Sequence, residues 1–224
     1  MTAPWTIVAI AAAFGLLVGS FVARAVYRGT ENSRWQRTLA AATVMGALFG
    51  AVTLRFGVGL ELPAFLFLVT IGAGLAMLDA DKRPLPDEIV LPAYVVSVLL
   101  LMPAGAVAGN LDATWRAVAG VFAFGGIYFI LHLTYPTALD AGDVKLAGLL
   151  GLYLGWLGLD ALLLGAFLGL VIAAVGGTAR IATAPRHSAH SMALAPCMVA
   201  ATMLALFIAV PTASWYGSFL MVRS

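Results

Sequence analysis

The chain has 224 residues, of which 62% are hydrophobic and only 10% charged, with a formal net charge of +2 and a mean hydropathy of +1.03. Soluble domains run nearer half apolar and about a quarter charged, so this chain cannot cover its own surface with polar groups, and a soluble globular fold is excluded. The composition specifies an all-α polytopic membrane bundle, and the lone cysteine, Cys197, excludes an internal disulfide and a cysteine-based zinc site.

A bilayer core takes about 20 apolar residues per helix. Eight segments of that kind follow one another, at roughly 4–25, 36–54, 62–80, 88–108, 115–134, 144–157, 160–179 and 191–210. None shows the period-2 alternation of a barrel strand. The polar gaps are too short for a soluble domain, which makes residues 1–224 a single integral-membrane unit. The opening stretch, "MTAPWTIVAIAAAFGLLVGSFVARAVYR", lacks the basic start of a signal peptide. Its bases, Arg24 and Arg28, follow the apolar run, as expected of a retained first span with the N-terminus outside. With eight spans, the cytoplasmic side then carries Arg24, Arg28, Arg34, Arg37, Lys82, Arg83, Lys145, Arg180 and Arg186. Only Arg55, Arg116 and Arg223 remain outside, nine against three of the twelve bases. Glycines four apart, as in Gly15/Gly19, Gly151/Gly155 and Gly165/Gly169, suit close helix packing in lipid. The tail from Pro211, with Trp215 and Tyr216, suits an outer aromatic belt.

Acids gather in two places. Segment three is apolar to Leu78 and then meets Asp79, Asp81, Lys82 and Arg83; Pro84 and Pro86 cannot continue the helix, which ends near Asp81. Asp87 is well placed to cap segment four, and Glu88 suits its positive dipole end. Asp79 differs, because it lies within the last helical turn, where a carboxylate is costly unless it faces a polar cavity or partner. The second cluster, "TALDAGDVKLAGLLG", sets Asp140, Asp143 and Lys145 at the start of segment six, with Gly142 letting the backbone bend just before Asp143. Asp143 reads equally well as an N-cap or as a functional acid. Both clusters fall on the same face of the membrane.

Two carboxylates close together in a partly desolvated site cannot both ionise easily and share a proton, the arrangement of aspartic proteases. One takes a proton from water as the water attacks a peptide carbonyl; the other polarises that carbonyl and helps protonate the leaving amine. Such chemistry needs no metal, cofactor or nucleophilic side chain. Elsewhere the sequence is thin in chemistry. His187 and His190 form an H-x-x-H pair in a basic loop, two ligands short of a zinc site. His132 reads as a hydrogen-bonded core histidine. There is no phosphate-binding glycine loop, no G-x-S-x-G and no nucleic-acid surface.

At these residues the sequence resembles the prepilin leader peptidases, the type IV prepilin peptidase family of membrane aspartic proteases. Members carry an Asp, an L-P-D element whose Asp comes eight residues later, and then a G-x-G-D-x-K element. Here they read "DADKRPLPD" and "DAGDVK". "GLLVGSFVARAVYR" looks like the family's first helix, and "MALAPCMVA" like its C-terminal proline segment, with Pro196 kept. The resemblance implies Asp79 and Asp143 as the catalytic dyad, supported by Asp87, Gly142, Lys145 and Asp140. It implies a type IV prepilin or pseudopilin precursor as partner, its leader cut on the cytoplasmic side of the bacterial inner membrane and its apolar helix lying in the bilayer beside the enzyme. Arg24, Arg28 and Lys145 would steer an acidic residue early in the mature pilin, and Asp81, Asp87 and Asp140 would attract a basic leader.

The chain departs from the family pattern twice. Asp140 stands where the first glycine of G-x-G-D would be, which makes it a rival for the second catalytic role. Residues 28–36 carry none of the paired C-x-x-C motifs associated with N-methylation of the trimmed pilin, so that second activity is not carried over. The competing classes are a proton- or ion-coupled transporter, expected to hold acids near the bilayer midplane, and a membrane assembly subunit without chemistry. A presenilin-type intramembrane protease would place its first Asp deeper, in a Y-D motif that is missing here.

Overall fold

The computed structural model describes residues 5–27, 34–81, 87–134, 139–183 and 194–221, and within these the side chains of Arg34, 176–183 and 210–221 are left aside. The described residues form eight α-helices and no strand: α1 (Trp5–Val26), α2 (Arg34–Phe56), α3 (Leu62–Ala80), α4 (Asp87–Ala108), α5 (Leu111–Thr134), α6 (Ala141–Leu157), α7 (Leu159–Thr183) and α8 (Ala195–Met221). Each coincides with one of the eight apolar segments. Helices α1 to α5 are long and apolar enough to cross a membrane. Large apolar side chains such as Phe14, Phe21, Leu99, Phe122 and Leu170 are exposed on the outside of the bundle, as a lipid solvent requires.

The turns at the end opposite Asp79 and Asp143 are tight, and a glycine at positive φ stands in all three, Gly57, Gly109 and Gly158. Gly109, at φ +66°, closes α4, and the side-chain oxygen of Asn110 then accepts from the Ala113 N–H at 3.2 Å to open α5. Gly158, at φ +145°, separates α6 from α7 by a single residue. The consecutive helices that pack most closely as antiparallel pairs are α1 with α2, α5 with α6 and α7 with α8, none of them joined by these glycine turns. In the α5–α6 hairpin, Gly120 faces Gly151 and Gly155 backbone to backbone, so that a Cβ on any of them would collide with the backbone of the facing helix.

Helix α6 is the centre of the molecule. Every residue from Leu146 to Trp156 is buried, and α4, α5, α7 and α8 all touch it. At 17 residues it is about 25 Å long, short of a bilayer core of about 30 Å. An evenly apolar helix of that kind is stable only when neighbours surround it.

One boundary differs: the eighth span, expected to end at 210, continues as α8 through Pro211 to Met221. Proline there removes one ladder donor, leaving the Phe207 carbonyl without its helical partner. Membrane helices tolerate such a break when neighbours supply polar groups, and Arg55 Nε donates to the adjacent Leu206 carbonyl at 3.3 Å.

Candidate active site at the charged end of the bundle

Asp79 sits in the final turn of α3, which ends with Asp81 as C-cap. It is half-buried, and its Oδ2 accepts a hydrogen bond of 2.8 Å from the backbone N–H of Ala195, the first residue of α8. The polar partner that a carboxylate at this depth requires is thus a helix N-terminus, whose free N–H groups and dipole favour an anion. This also gives Pro196 a reason. Its fixed φ suits a first helical turn, where no N–H is missed, so it helps start α8 where Asp79 needs the donor.

Asp143 arrives from the other side. Asp140 is the N-cap of α6, with φ −88° and ψ 154°, and Asp143 follows in the first turn. Asp143 is only 6% exposed, and its Oδ2 accepts from the Asp140 N–H at 3.2 Å. The two acids converge: Asp143 lies within electrostatic range of Asp79, Asp140 and His132. The N-cap position belongs to Asp140, and Asp143 shares the capping at the third helical position of a capping box, its carboxylate taking the Asp140 N–H, so its structural and its functional reading both stand. The bend expected at Gly142 is displaced. The chain turns at extended Asp140, and Gly142 is already helical, because the helix begins at Ala141.

The supporting charges are paired. Asp87 is the first residue of α4, not the residue before it, and its Oδ1 lies 2.6 Å from Lys145 Nζ. Glu88 is exposed in the same turn. Asp81 lies 3.4 Å from an Arg37 guanidinium nitrogen, and that guanidinium stands over the Tyr27 ring at 5.6 Å from its centre. Burial, and behind it the charge of Asp81, holds the Tyr27 phenol above its ordinary 10.0. Among the acids expected to attract a basic leader, Asp81 and Asp87 thus already have cationic partners, while Asp140 is exposed. Arg24 is exposed in the last turn of α1; Arg28, Lys82, Arg83, His187 and His190 lie outside the described residues. His132 is hydrogen-bonded as expected but half-buried in the last turn of α5, not in the core. Its Nδ1 is 2.7 Å from the Leu139 carbonyl, which only accepts, so Nδ1 carries the proton.

Two contacts were not foreseen from sequence. The Tyr94 hydroxyl of α4 donates to the Lys145 carbonyl at 2.6 Å, and buried Tyr153 donates to Ser97 at 2.8 Å. Tyr94 and Ser97 follow Asp87 at seven and ten residues, a helical stripe whose polar members are a signal once α4 is known to face α6.

Eight helices, mostly lipid-facing, that gather carboxylates at one end define a polytopic membrane protein with an acidic site at the bilayer boundary. The profile of the type IV leader peptidase family matches residues 64–177, just over half of the chain and including both Asp79 and Asp143, and the chain belongs to that family. Similar proteins include prepilin leader peptidase/N-methyltransferases of Stutzerimonas stutzeri (32% identical over 162 residues), Aeromonas salmonicida (29% over 180) and Neisseria gonorrhoeae (31% over 152). These alignments cover 72%, 80% and 66% of this chain but only 55%, 60% and 51% of the relatives, so the chain spans little more than half their length. No solved structure matches it significantly.

Proposed function

We propose that the chain is an aspartic endopeptidase that removes the leader of type IV pilin-like precursors at the cytoplasmic face of the bacterial inner membrane, with Asp79 and Asp143 as its dyad. The observation that carries this reading is the convergence of those two carboxylates, from α3 and α6, inside the segment that matches the family. One carboxylate takes a proton from water while the water oxygen bonds to the scissile carbonyl carbon. The other carboxyl hydrogen-bonds the carbonyl oxygen. Collapse of the tetrahedral intermediate breaks the C–N bond, and the amine leaves with a proton from the dyad.

The supports for the two acids are unalike, which suits unlike roles. Asp79 is held by a helix N-terminus, an environment that favours its charge. Asp143 is nearly enclosed. Asp79 is therefore the better candidate for the carboxylate that deprotonates water, and Asp143 for the one that carries the shared proton. The transporter reading lacks a comparable support: every described acid, from Glu61 to Asp160, lies at or beside a helix end and none near the bilayer midplane. Only the peptidase half of the relatives' name is extended to this chain, because a single cysteine cannot supply paired C-x-x-C motifs.

The test is cleavage of a pilin-type precursor in membranes by the wild type, Asp79→Asn and Asp143→Asn. Asparagine keeps the shape but cannot share the proton, so each variant is expected to lose at least about a hundredfold in rate, the usual weight of a general acid or base. A variant that cuts at the wild-type rate would remove its residue from the dyad.

A further inference from the structure

Asp79 is fixed by the start of α8, and Asp143 rides on the first turn of α6, which is closed locally by the bond from the Asp140 N–H to Asp143. Helix α4 ties the same region of α6 to the bundle. That turn is gripped by α4 twice. Asp87 Oδ1 meets Lys145 Nζ at 2.6 Å, and the Tyr94 hydroxyl donates to the backbone carbonyl of the same Lys145 at 2.6 Å. Lys145 is two residues past Asp143, so holding its backbone and its side chain holds the turn that aims Asp143. The fit is close: Gly148 sits directly against the Tyr94 hydroxyl, and a Cβ there would occupy its place. One turn deeper, Ser97 accepts from Tyr153, continuing the same seam between the two helices.

We propose that Asp87, Lys145 and Tyr94 are positioning residues, a clamp from α4 that sets where Asp143 stands relative to Asp79. The proposal rests on the peptidase reading. It differs from the sequence expectation that Asp87 and Lys145 meet the charges of the precursor, since at 2.6 Å each already satisfies the other. The Asp87 and Lys145 side chains are 58% and 35% exposed, and ion pairs this open add little to stability. Placement is another matter, because about 1 Å of misplacement costs a reaction about a hundredfold.

The experiment measures kcat and KM of the full chain on a pilin-type precursor for Asp87→Asn, Lys145→Met, the double variant, Lys145→Arg and Tyr94→Phe. Each of the two single charge losses is expected to lower kcat by about tenfold with KM within about twofold. The double variant should be no slower than the slower single, the signature of one shared interaction. Lys145→Arg should recover most of the rate lost in Lys145→Met, and Tyr94→Phe should lose about threefold in kcat, the scale of one neutral hydrogen bond. Losses that multiply in the double variant, or that appear in KM with kcat intact, would mean that the residues contact the precursor separately, and the clamp falls. Wild-type kcat in Tyr94→Phe overturns it as well. A wild type that cuts no precursor removes the peptidase reading first, a result distinct from an active wild type whose charge losses multiply.

Discussion

Asp140 carries the sharpest question among single residues, since it is the extra acid beside Asp143. Its position gives it ordinary work: it is the N-cap of α6, extended in backbone, and the chain turns there. Aspartate is among the best residues for that position and glycine only slightly worse, whereas alanine costs about 1 kcal/mol. Thermal unfolding in detergent should therefore show Asp140→Ala less stable by about 1 kcal/mol and Asp140→Gly by a few tenths. Equal stability of Asp140→Ala and wild type would remove the capping role, and loss of cleavage in Asp140→Asn at unchanged protein level would make Asp140 the second catalytic acid. The acids themselves were legible in the sequence because charge is rare in this chain, and any carboxylate within a helical turn asks for a partner. Their partners were not. The Ala195 N–H that holds Asp79 is 116 residues away, and Tyr94 looks like one more apolar-run aromatic until α4 is laid against α6. Gly142 misled for a related reason: a glycine before an acid suggests a bend, but an N-cap aspartate two residues earlier turns the chain first.

Helices were more legible than contacts between them. Eight apolar runs separated by Gly, Pro and charge locate α1 to α7 within a few residues, because in lipid a span must satisfy its own backbone and little else can form. The end of α8 is not legible at Pro211, because proline breaks a helix more firmly in water than in a bundle where a neighbour such as Arg55 reaches the backbone. Glycine spacing pointed to close packing without saying which helix would meet which. The α5–α6 hairpin answers it and makes a paired prediction. Gly151→Ala would push a Cβ into the Gly120 backbone and should destabilise by about 2 kcal/mol or more, an overpacking cost. Gly126→Ala, on the same hairpin with nothing within 4 Å of the new Cβ, should be neutral or stabilising by up to about 1 kcal/mol. Unfolding of the two variants side by side is the check. Similar gains in both would mean that helix propensity, not backbone approach, decides these positions.

At the scale of the whole molecule, the fold fixes which ends of the helices share a side but not which side of the membrane that is. The C-terminus of α3 and the N-termini of α4, α6 and α8 lie together, joined by the Asp79 to Ala195 bond and the Asp87–Lys145 pair. Arg37 at the start of α2 meets Asp81 at that same end. The turns at Gly57, Gly109 and Gly158 lie at the other. The base count, nine against three, favours the cytoplasm for the end that carries Asp79 and Asp143, the orientation that the proposed function requires. A leader that precedes an apolar helix is then met before its own helix leaves the cytoplasmic interface, which is why orientation bears directly on function. The single native thiol makes the test simple. In a Cys197→Ser background, Val58→Cys and Leu159→Cys, both at exposed positions by the glycine turns, should react with a membrane-impermeant maleimide added to intact cells. Ala80→Cys, exposed beside Asp79, should react only after the membrane is opened. Labelling of Ala80→Cys from outside would invert the molecule, put both acids on the wrong face for a cytoplasmic leader, and sink the proposed peptidase role even if the helices pack as described.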